Sequence, residues 1–116
     1  MTHHRLEAGP KTVHWGYFDA ALAPVLTVES GDRVTISTVS GGPDVMPPPP
    51  LRVPEALAAV QREVPNRLPG HMCTGPIAVR GAKAGQVLEV PNQVTNLHHR
   101  SDTWRPYHPG EAEGNV

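Results

Sequence analysis

The sequence of 116 residues is poor in cysteine and contains no long apolar run. Its single cysteine, Cys73, excludes an internal disulfide framework. No apolar stretch approaches the length needed to cross a bilayer, and the N-terminus lacks the apolar core of a secretory signal. Together these absences predict a soluble protein of the cytoplasm.

The sequence also lacks an excess of charge of either sign. Ten lysines and arginines stand against eleven aspartates and glutamates, and the basic residues are scattered rather than clustered. Nucleic acid and anionic membrane surfaces are therefore not expected partners. Aromatic residues make up only 4% of the chain, so the stacking surface that single-stranded nucleic acid requires is missing as well.

Proline and glycine are abundant, at 14 and 11 residues, whereas apolar residues make up only 38% of the chain. Globular domains usually contain about 45–50% apolar residues. We therefore expect one small domain with a thin hydrophobic core. Four consecutive prolines at positions 47–50 favour polyproline II, so residues 41–50 are predicted to form a loop.

Residues 24–39 have the pattern of two short β-strands joined by a tight turn. β-forming residues fill positions 25–28 and 34–39, and the second stretch alternates apolar with polar side chains. Between them Gly31 supplies the positive φ that such turns need, and Asp32 can bond the local backbone. The pattern predicts a β-hairpin whose apolar face packs on the rest of the chain.

Residues 74–90 repeat this layout, with predicted strands at 77–79 and 87–90 on either side of a glycine-containing turn. Residues 12–21 add another strand, in which Gly16 allows a second backbone to approach closely. The predicted fold is mainly β, with antiparallel β-ribbons forming part of a barrel or sandwich.

One short α-helix is predicted over residues 54–64, where apolar residues recur at helical spacing. Pro54 suits the first turn of a helix, and Pro65 ends it. The apolar stripe is narrow and consists of Leu57, Val60 and Val64. It is typical of a helix that packs on its own domain.

The character of the sequence changes after residue 90. Aliphatic residues nearly disappear, and no strand or helix periodicity persists. The chain is therefore divided into a β-rich part, residues 1–90, and a divergent, disordered tail, residues 91–116. The histidines of the tail match no closed set of metal ligands; they are His98, His99 and His108.

Several polar residues of the β-rich part are candidates for chemistry. His71 and Cys73 lie two positions apart and suit a metal pair or a reactive thiol, although a structural role is favoured. His14 and Asp19 lie among aromatic residues, where either a structural hydrogen bond or a site role fits. The pair His3-His4 is predicted to be an exposed terminal pair.

Seven segments between residues 12 and 90, taken in order, resemble the acetamidase/formamidase family. They read HWGYFD (14–19), VLTVESGD (25–32), TVSGGP (38–43), GH (70–71), TGPIAV (74–79), GA (81–82) and VLEV (87–90). Each piece is short, and the specificity of the match comes from their order and spacing. Gln86 departs from the family, which usually has Asp there. Residues from Pro91 on look unlike the family, which predicts a truncated or frame-shifted gene product.

The resemblance implies a mainly β amidohydrolase that splits formamide or acetamide into a small carboxylate and ammonia. It carries over His71, and then His14 and Asp19, as site candidates without fixing their roles. We predict His71 and Asp19 as catalytic residues, and His14 and His71 as ligands of a divalent metal such as Zn²⁺ or Ca²⁺. Amide hydrolysis needs an activated water, a polarised carbonyl and a proton for the departing ammonia. A second route would use Cys73 as the nucleophile and His71 as its base.

Two functional hypotheses therefore stand. In the first, the chain is the N-terminal part of an amidase that binds a small amide and has little activity alone. Its candidate groups lie on loops beside a thin core, which holds them poorly in position. In the second, the chain is a non-catalytic β-rich binding module that completes a partner chain. An isolated chain that is monomeric and poorly folded fits the first hypothesis, whereas a chain that is well folded and forms a homo-oligomer fits the second.

Overall fold

The computed structural model of the chain describes residues 1–92. The predicted tail, with its three histidines, therefore lies almost wholly outside the described residues. The described part contains six short strands and one α-helix. In chain order these are β1 (His3–Leu6), β2 (Val13–Trp15), β3 (Leu26–Val28), β4 (Arg33–Ile36), α1 (Glu55–Glu63), β5 (Met72–Thr74) and β6 (Ile77–Val79).

The six strands form three sheets of two strands each. Strands β1 and β4 pair in parallel, β2 and β5 pair antiparallel, and β3 and β6 pair in parallel. The prediction of a mainly β fold with one short helix is confirmed. The prediction of antiparallel ribbons in a barrel or sandwich is wrong in its detail, because two of the three pairs are parallel and the sheets do not close within residues 1–92.

The first predicted hairpin has its strands where the sequence places them, but β3 and β4 do not pair with each other. The turn between them is closed by the Asp32 amide, which donates to the Glu29 carbonyl at 3.0 Å, and Gly31 has a φ of 91°. Positive φ at the third turn position is typical of a type II turn, whose twist splays the flanking strands. Each strand therefore pairs with a distant partner.

The second predicted hairpin is also absent. Strand β6 forms, but residues 87–90 are not a strand, and Val87 is 97% exposed. Two successive turns carry the chain away from β6: the Ala82 amide donates to the Val79 carbonyl, and the Gln86 amide donates to the Lys83 carbonyl. Because β6 pairs with β3, it does not need the following segment as a partner.

The helix prediction is confirmed, with Pro54 at the N-cap rather than inside the first turn. Leu57 and Val60 of the predicted stripe are buried. The side chain of Gln61, on the same helix, donates from Nε2 to the Gly41 carbonyl at 2.8 Å. This bond ties the glycine- and proline-rich loop to α1, and the loop itself contains one 3-10 turn at Pro43–Val45.

The core is thin, as the composition predicts. Burial of each large apolar side chain stabilises a fold by roughly 1.5–3 kcal/mol, so a small core leaves little reserve against entropy. The buried apolar residues among those described are Leu6, Val13, Trp15, Val28, Leu57 and Val60. They come from β1, β2, β3 and α1, so the packing joins the N-terminal strands to the helix in the middle of the described chain.

The carboxylate of Asp32 fastens the beginning of the chain to the turn between β3 and β4. It accepts hydrogen bonds from the Thr2 amide at 2.9 Å, the Glu29 amide at 3.0 Å and His4 Nε2 at 2.8 Å. The Thr2 amide, then the His4 side chain and the Glu29 amide hold the pKa of Asp32 well below its usual range. His4 is half-buried beside this carboxylate, and the prediction of an exposed His3-His4 pair is wrong for this residue.

We predict that Asp32→Asn lowers the melting temperature at pH 7 and flattens its dependence on acid pH. A carboxyl whose pKa is lower in the folded than in the unfolded state stabilises the fold above its unfolded value of about 3.8. That stabilisation is lost as the pH falls further towards the folded pKa. Thermal unfolding followed by circular dichroism between about pH 7 and pH 2 measures both effects.

The control for this experiment is Glu89→Gln, which makes the same chemical change at an exposed carboxylate. It should leave the melting curve close to that of the parent chain at each pH. If the Asp32→Asn and parent curves fall in parallel below pH 4, the carboxylate of Asp32 does not have the role assigned to it.

Candidate functional site

The β2–β5 ladder brings together three of the candidate residues. Its register pairs His14 with Cys73 and Trp15 with Met72. The ladder continues past β5, because the Gly16 amide donates to the His71 carbonyl at 3.0 Å. Side chains alternate between the two faces of a strand, so His14, Cys73 and His71 share one face. Val13 and Trp15 occupy the opposite, buried face.

Trp15 positions the segment that leads into His71. Its indole is buried, and Nε1 donates to the Gly70 carbonyl at 3.2 Å. The Trp15 carbonyl accepts from the Arg67 amide at 3.4 Å, and Trp15 also forms a β-bridge with Asn66. One buried residue of β2 thus fixes both ends of residues 66–70, which end beside the site.

Gly16 lets this segment lie directly against β2. A Cβ built on Gly16 would overlap the backbone carbonyl of Leu68, and a Cβ on Gly70 would lie 3.3 Å from the Gly16 Cα. The predicted close approach of a second backbone at Gly16 is confirmed. Gly16 also has a φ of 89°, a conformation that residues with a Cβ rarely adopt.

His14 lies beside the ring of Tyr17, and the guanidinium of Arg67 lies over the same ring. Its ring centroid is 5.3 Å from that of Tyr17, with the two planes tilted by 58°. The guanidinium of Arg67 lies 5.3 Å from the centroid of the same Tyr17 ring. Such contacts stabilise by roughly 0.5–1 kcal/mol at exposed sites. They give the half-buried His14 a fixed neighbour and place a positive charge near the ladder.

Asp19, His71 and Cys73 are the other catalytic candidates, and they lie in different settings from His14. Asp19 is exposed, and its Oδ1 accepts a hydrogen bond from the Ala21 amide at 2.8 Å, which is the structural role that local turns favour. His71 is exposed at the end of the ladder. Cys73 Sγ lies 4.0 Å from the His71 carbonyl oxygen, and the residue opposite Cys73 in the register is His14.

His14 and His71, the predicted metal ligands, are too few by themselves for a hydrolytic metal centre. Catalytic zinc sites use three protein ligands and leave one position open. Within residues 1–92, no group of three or more histidine, cysteine, aspartate or glutamate side chains is arranged to hold a metal ion. His14 and His71 share a face, but the described residues do not fit a complete hydrolytic centre.

A shallow cavity of about 280 Å³ lies away from the ladder. It is below the usual size of ligand sites, which is about 300–1,000 Å³. The residues that line it contain no candidate for chemistry; they are Ala82, Lys83, Gln86, Val87 and Leu88. The candidate site is therefore an open sheet face rather than an enclosed pocket.

Comparisons with known proteins add no assignment. No protein-family model, no curated protein and no solved structure matches this chain. Among the residues that the structure describes, no helix is long and apolar enough to cross a membrane. The family resemblance, the amide substrate, the metal and the cytoplasmic location remain predictions from the sequence.

Two features of this face were not predicted from the sequence. The pairing of His14 with Cys73 depends on the register of strands far apart in the chain, for which the sequence carries no local signal. The contact of Arg67 with Tyr17 joins a turn residue to the aromatic segment. The one available signal was Gly16 between two aromatic residues, which indicates a backbone approach but does not identify the partner.

We predict that Gly16→Ala destabilises the fold by more than about 2 kcal/mol, because the new Cβ adds overlap with rigid backbone to the cost of positive φ. Gly31→Ala has the same conformational cost, at a φ of 91°, but meets open space. It should therefore cost about 1 kcal/mol. Chemical denaturation of the purified variants measures both values.

Gly9→Ala is the matched control, since Gly9 has neither a left-handed φ nor a heavy atom within 4 Å of the added Cβ. We expect its unfolding free energy to stay within about 0.5 kcal/mol of the parent value. Equal losses for Gly16→Ala and Gly31→Ala would show that the Leu68 backbone does not press against β2.

Proposed function

We propose that residues 12–90 form part of an amidohydrolase site of the acetamidase/formamidase type. The substrate class is a short amide such as formamide or acetamide, which is split into a carboxylate and ammonia. The observation that carries the proposal is the β2–β5 ladder. It brings His14 and His71, two residues of the family-like segments, onto one face although they are far apart in the sequence.

The groups on this face suit the chemistry only in part. An imidazole that is exposed, as at His71, can accept a proton from water and later supply one to a departing amine. The Arg67 charge near Tyr17 can stabilise negative charge that develops on an amide oxygen. Asp19 is engaged with the local backbone, so we assign it a supporting structural role in the loop that follows β2.

The open setting of these groups limits the rate. Electrostatic stabilisation of a transition state is strong in sites that exclude water and weak where water screens the charges. His71 and Arg67 are both exposed. Because no three donor side chains among the described residues are arranged to hold a metal ion, we assign no step to a metal. Residues 1–92 therefore supply part of a site rather than an efficient catalyst.

We predict no more than trace ammonia release from formamide or acetamide by the purified chain, with or without added Zn²⁺ or Ca²⁺. The proposal also predicts weak amide binding on the ladder face. Acetamide titrated into the chain should shift the ring resonances of His14 and His71 in NMR spectra. His71→Ala should weaken that binding, whereas His3→Ala, on β1, is the control and should leave it unchanged.

Two results would contradict this proposal. Acetamide that shifts resonances elsewhere in the chain, or none at all, would remove the amide site from the ladder. Steady multiple turnover that is lost in His71→Ala but kept in Cys73→Ala would instead show an efficient enzyme in this chain alone, contrary to the expected trace activity.

A second candidate function is supported by the segment at residues 87–90. Its β-forming sequence, VLEV, has no strand partner among the described residues, and its apolar side chains are exposed, including Val87, Leu88 and Val90. Exposed β-forming segments of this kind add as strands to the open edges of other sheets. The chain would then act as an assembly module that completes a partner chain.

We predict that the double substitution Leu88→Lys and Val90→Lys lowers self-association of the chain in sedimentation velocity experiments. Added charge disfavours strand addition at an exposed edge. Glu89→Lys changes the charge between these two positions without removing an apolar side chain, and it is the control. If the parent chain is monomeric at all accessible concentrations, the segment does not mediate assembly between copies.

A further inference from the structure

We propose that Cys73 and His14 form a two-donor site for a soft monovalent cation of the copper(I) class. This inference goes beyond the proposed amide chemistry and does not depend on it. It rests on a thiol and an imidazole that the β2–β5 register places directly opposite each other on one face of the ladder.

The register determines how closely the two side chains approach. The Gly16 amide donates to His71 and the Gly75 amide donates to Thr12, so both flanking pairs are hydrogen-bonded. Hydrogen-bonded pairs recur at every second residue of an antiparallel ladder, which makes the pair His14 and Cys73 one of them. The Cβ atoms of directly opposite residues are roughly 4.5–5.5 Å apart, and a hydrogen-bonded pair lies towards the wider end of this range.

That separation suits two donors on a single ion. Metal–sulfur and metal–imidazole bonds of roughly 2.3 and 2.1 Å, as measured for zinc, place the two donor atoms about 4 Å apart when they share one ion. Cys Sγ is one bond beyond Cβ, and the imidazole nitrogens are two or three bonds beyond it. Rotation about the side-chain bonds can therefore bring sulfur and nitrogen to this distance without moving either strand.

The surroundings determine which class of ion fits. Thiolate sulfur selects soft ions such as copper(I), whereas hard ions prefer oxygen ligands. A structural zinc site needs four ligands, and the described residues provide no group of three. Copper(I) accepts a coordination number of two, and a soft thiolate with an imidazole as the second ligand meets that requirement. Cys73 is half-buried, so an ion in solution can reach it.

The test is a competition between the reduced full chain and a chromogenic copper(I) chelator in the absence of oxygen. Because the chain has one cysteine, any thiolate-to-copper absorption in the near ultraviolet comes from Cys73. We expect one copper(I) per chain. Cys73→Ser should abolish the absorption, and His14→Phe should weaken binding by about tenfold or more while keeping an aromatic ring beside Tyr17. His3→Ala, on β1 and outside the ladder, is the matched control and should change binding by less than about twofold.

Three results would overturn the proposal. Unchanged affinity in His14→Phe would show that the thiol binds copper without the imidazole. A stoichiometry of one copper per two chains would place the ion between the cysteines of two copies. If His71→Ala weakens copper(I) binding as much as His14→Phe does, the whole ladder face binds the ion, and not the pair of His14 and Cys73 alone. Circular dichroism of each variant checks the fold, and ammonia release is not measured, so the outcome is independent of the amidase proposal.

Discussion

The carboxylate of Asp32 and its three donors are the interaction on which the arrangement of two sheets depends. The turn at residues 29–32 is the covalent link between β3 and β4, which belong to different sheets. Asp32 binds the beginning of β1 to this turn, while Glu29, on the other side of the turn, pairs with Arg80 just after β6. The parallel pairs β1–β4 and β3–β6 thus meet at one short turn whose conformation is held by charged groups.

The positions of β2, β3, β4, β6 and α1 could be predicted from the sequence, but strand β5 and the pairing of the strands could not. Residues 26–28, 33–36 and 55–63 have the local composition of the elements they form. Whether two neighbouring strands pair depends on the type of turn between them. Gly31 indicates a positive φ, which occurs in several turn types, so the sequence does not identify the type. The segment at residues 87–90 has strand composition but lacks a partner, because the two turns after β6 carry it away from that strand.

In the candidate site, too, the residue types could be predicted from the sequence but their spatial arrangement could not. Histidine and cysteine can be selected from the sequence as residue types suited to chemistry, and His14, His71 and Cys73 do reach one face. Their spatial order follows from the close contact of Gly16 with the Leu68 backbone and from the bond between Trp15 and Gly70. Asp19 has a suitable residue type as well, but its carboxylate caps a local turn, as short polar side chains in loops often do.

The strand pairing has a consequence for how this chain folds. Each of the three pairs joins strands at least 30 residues apart, so long loops must close before any sheet gains a hydrogen bond. Loop closure costs entropy that only the finished contacts repay, and chains with such distant contacts fold slowly. Among the described elements, only α1 can form from neighbouring residues alone. During most of its folding the chain therefore exposes unpaired strand edges, which are open to association with other chains.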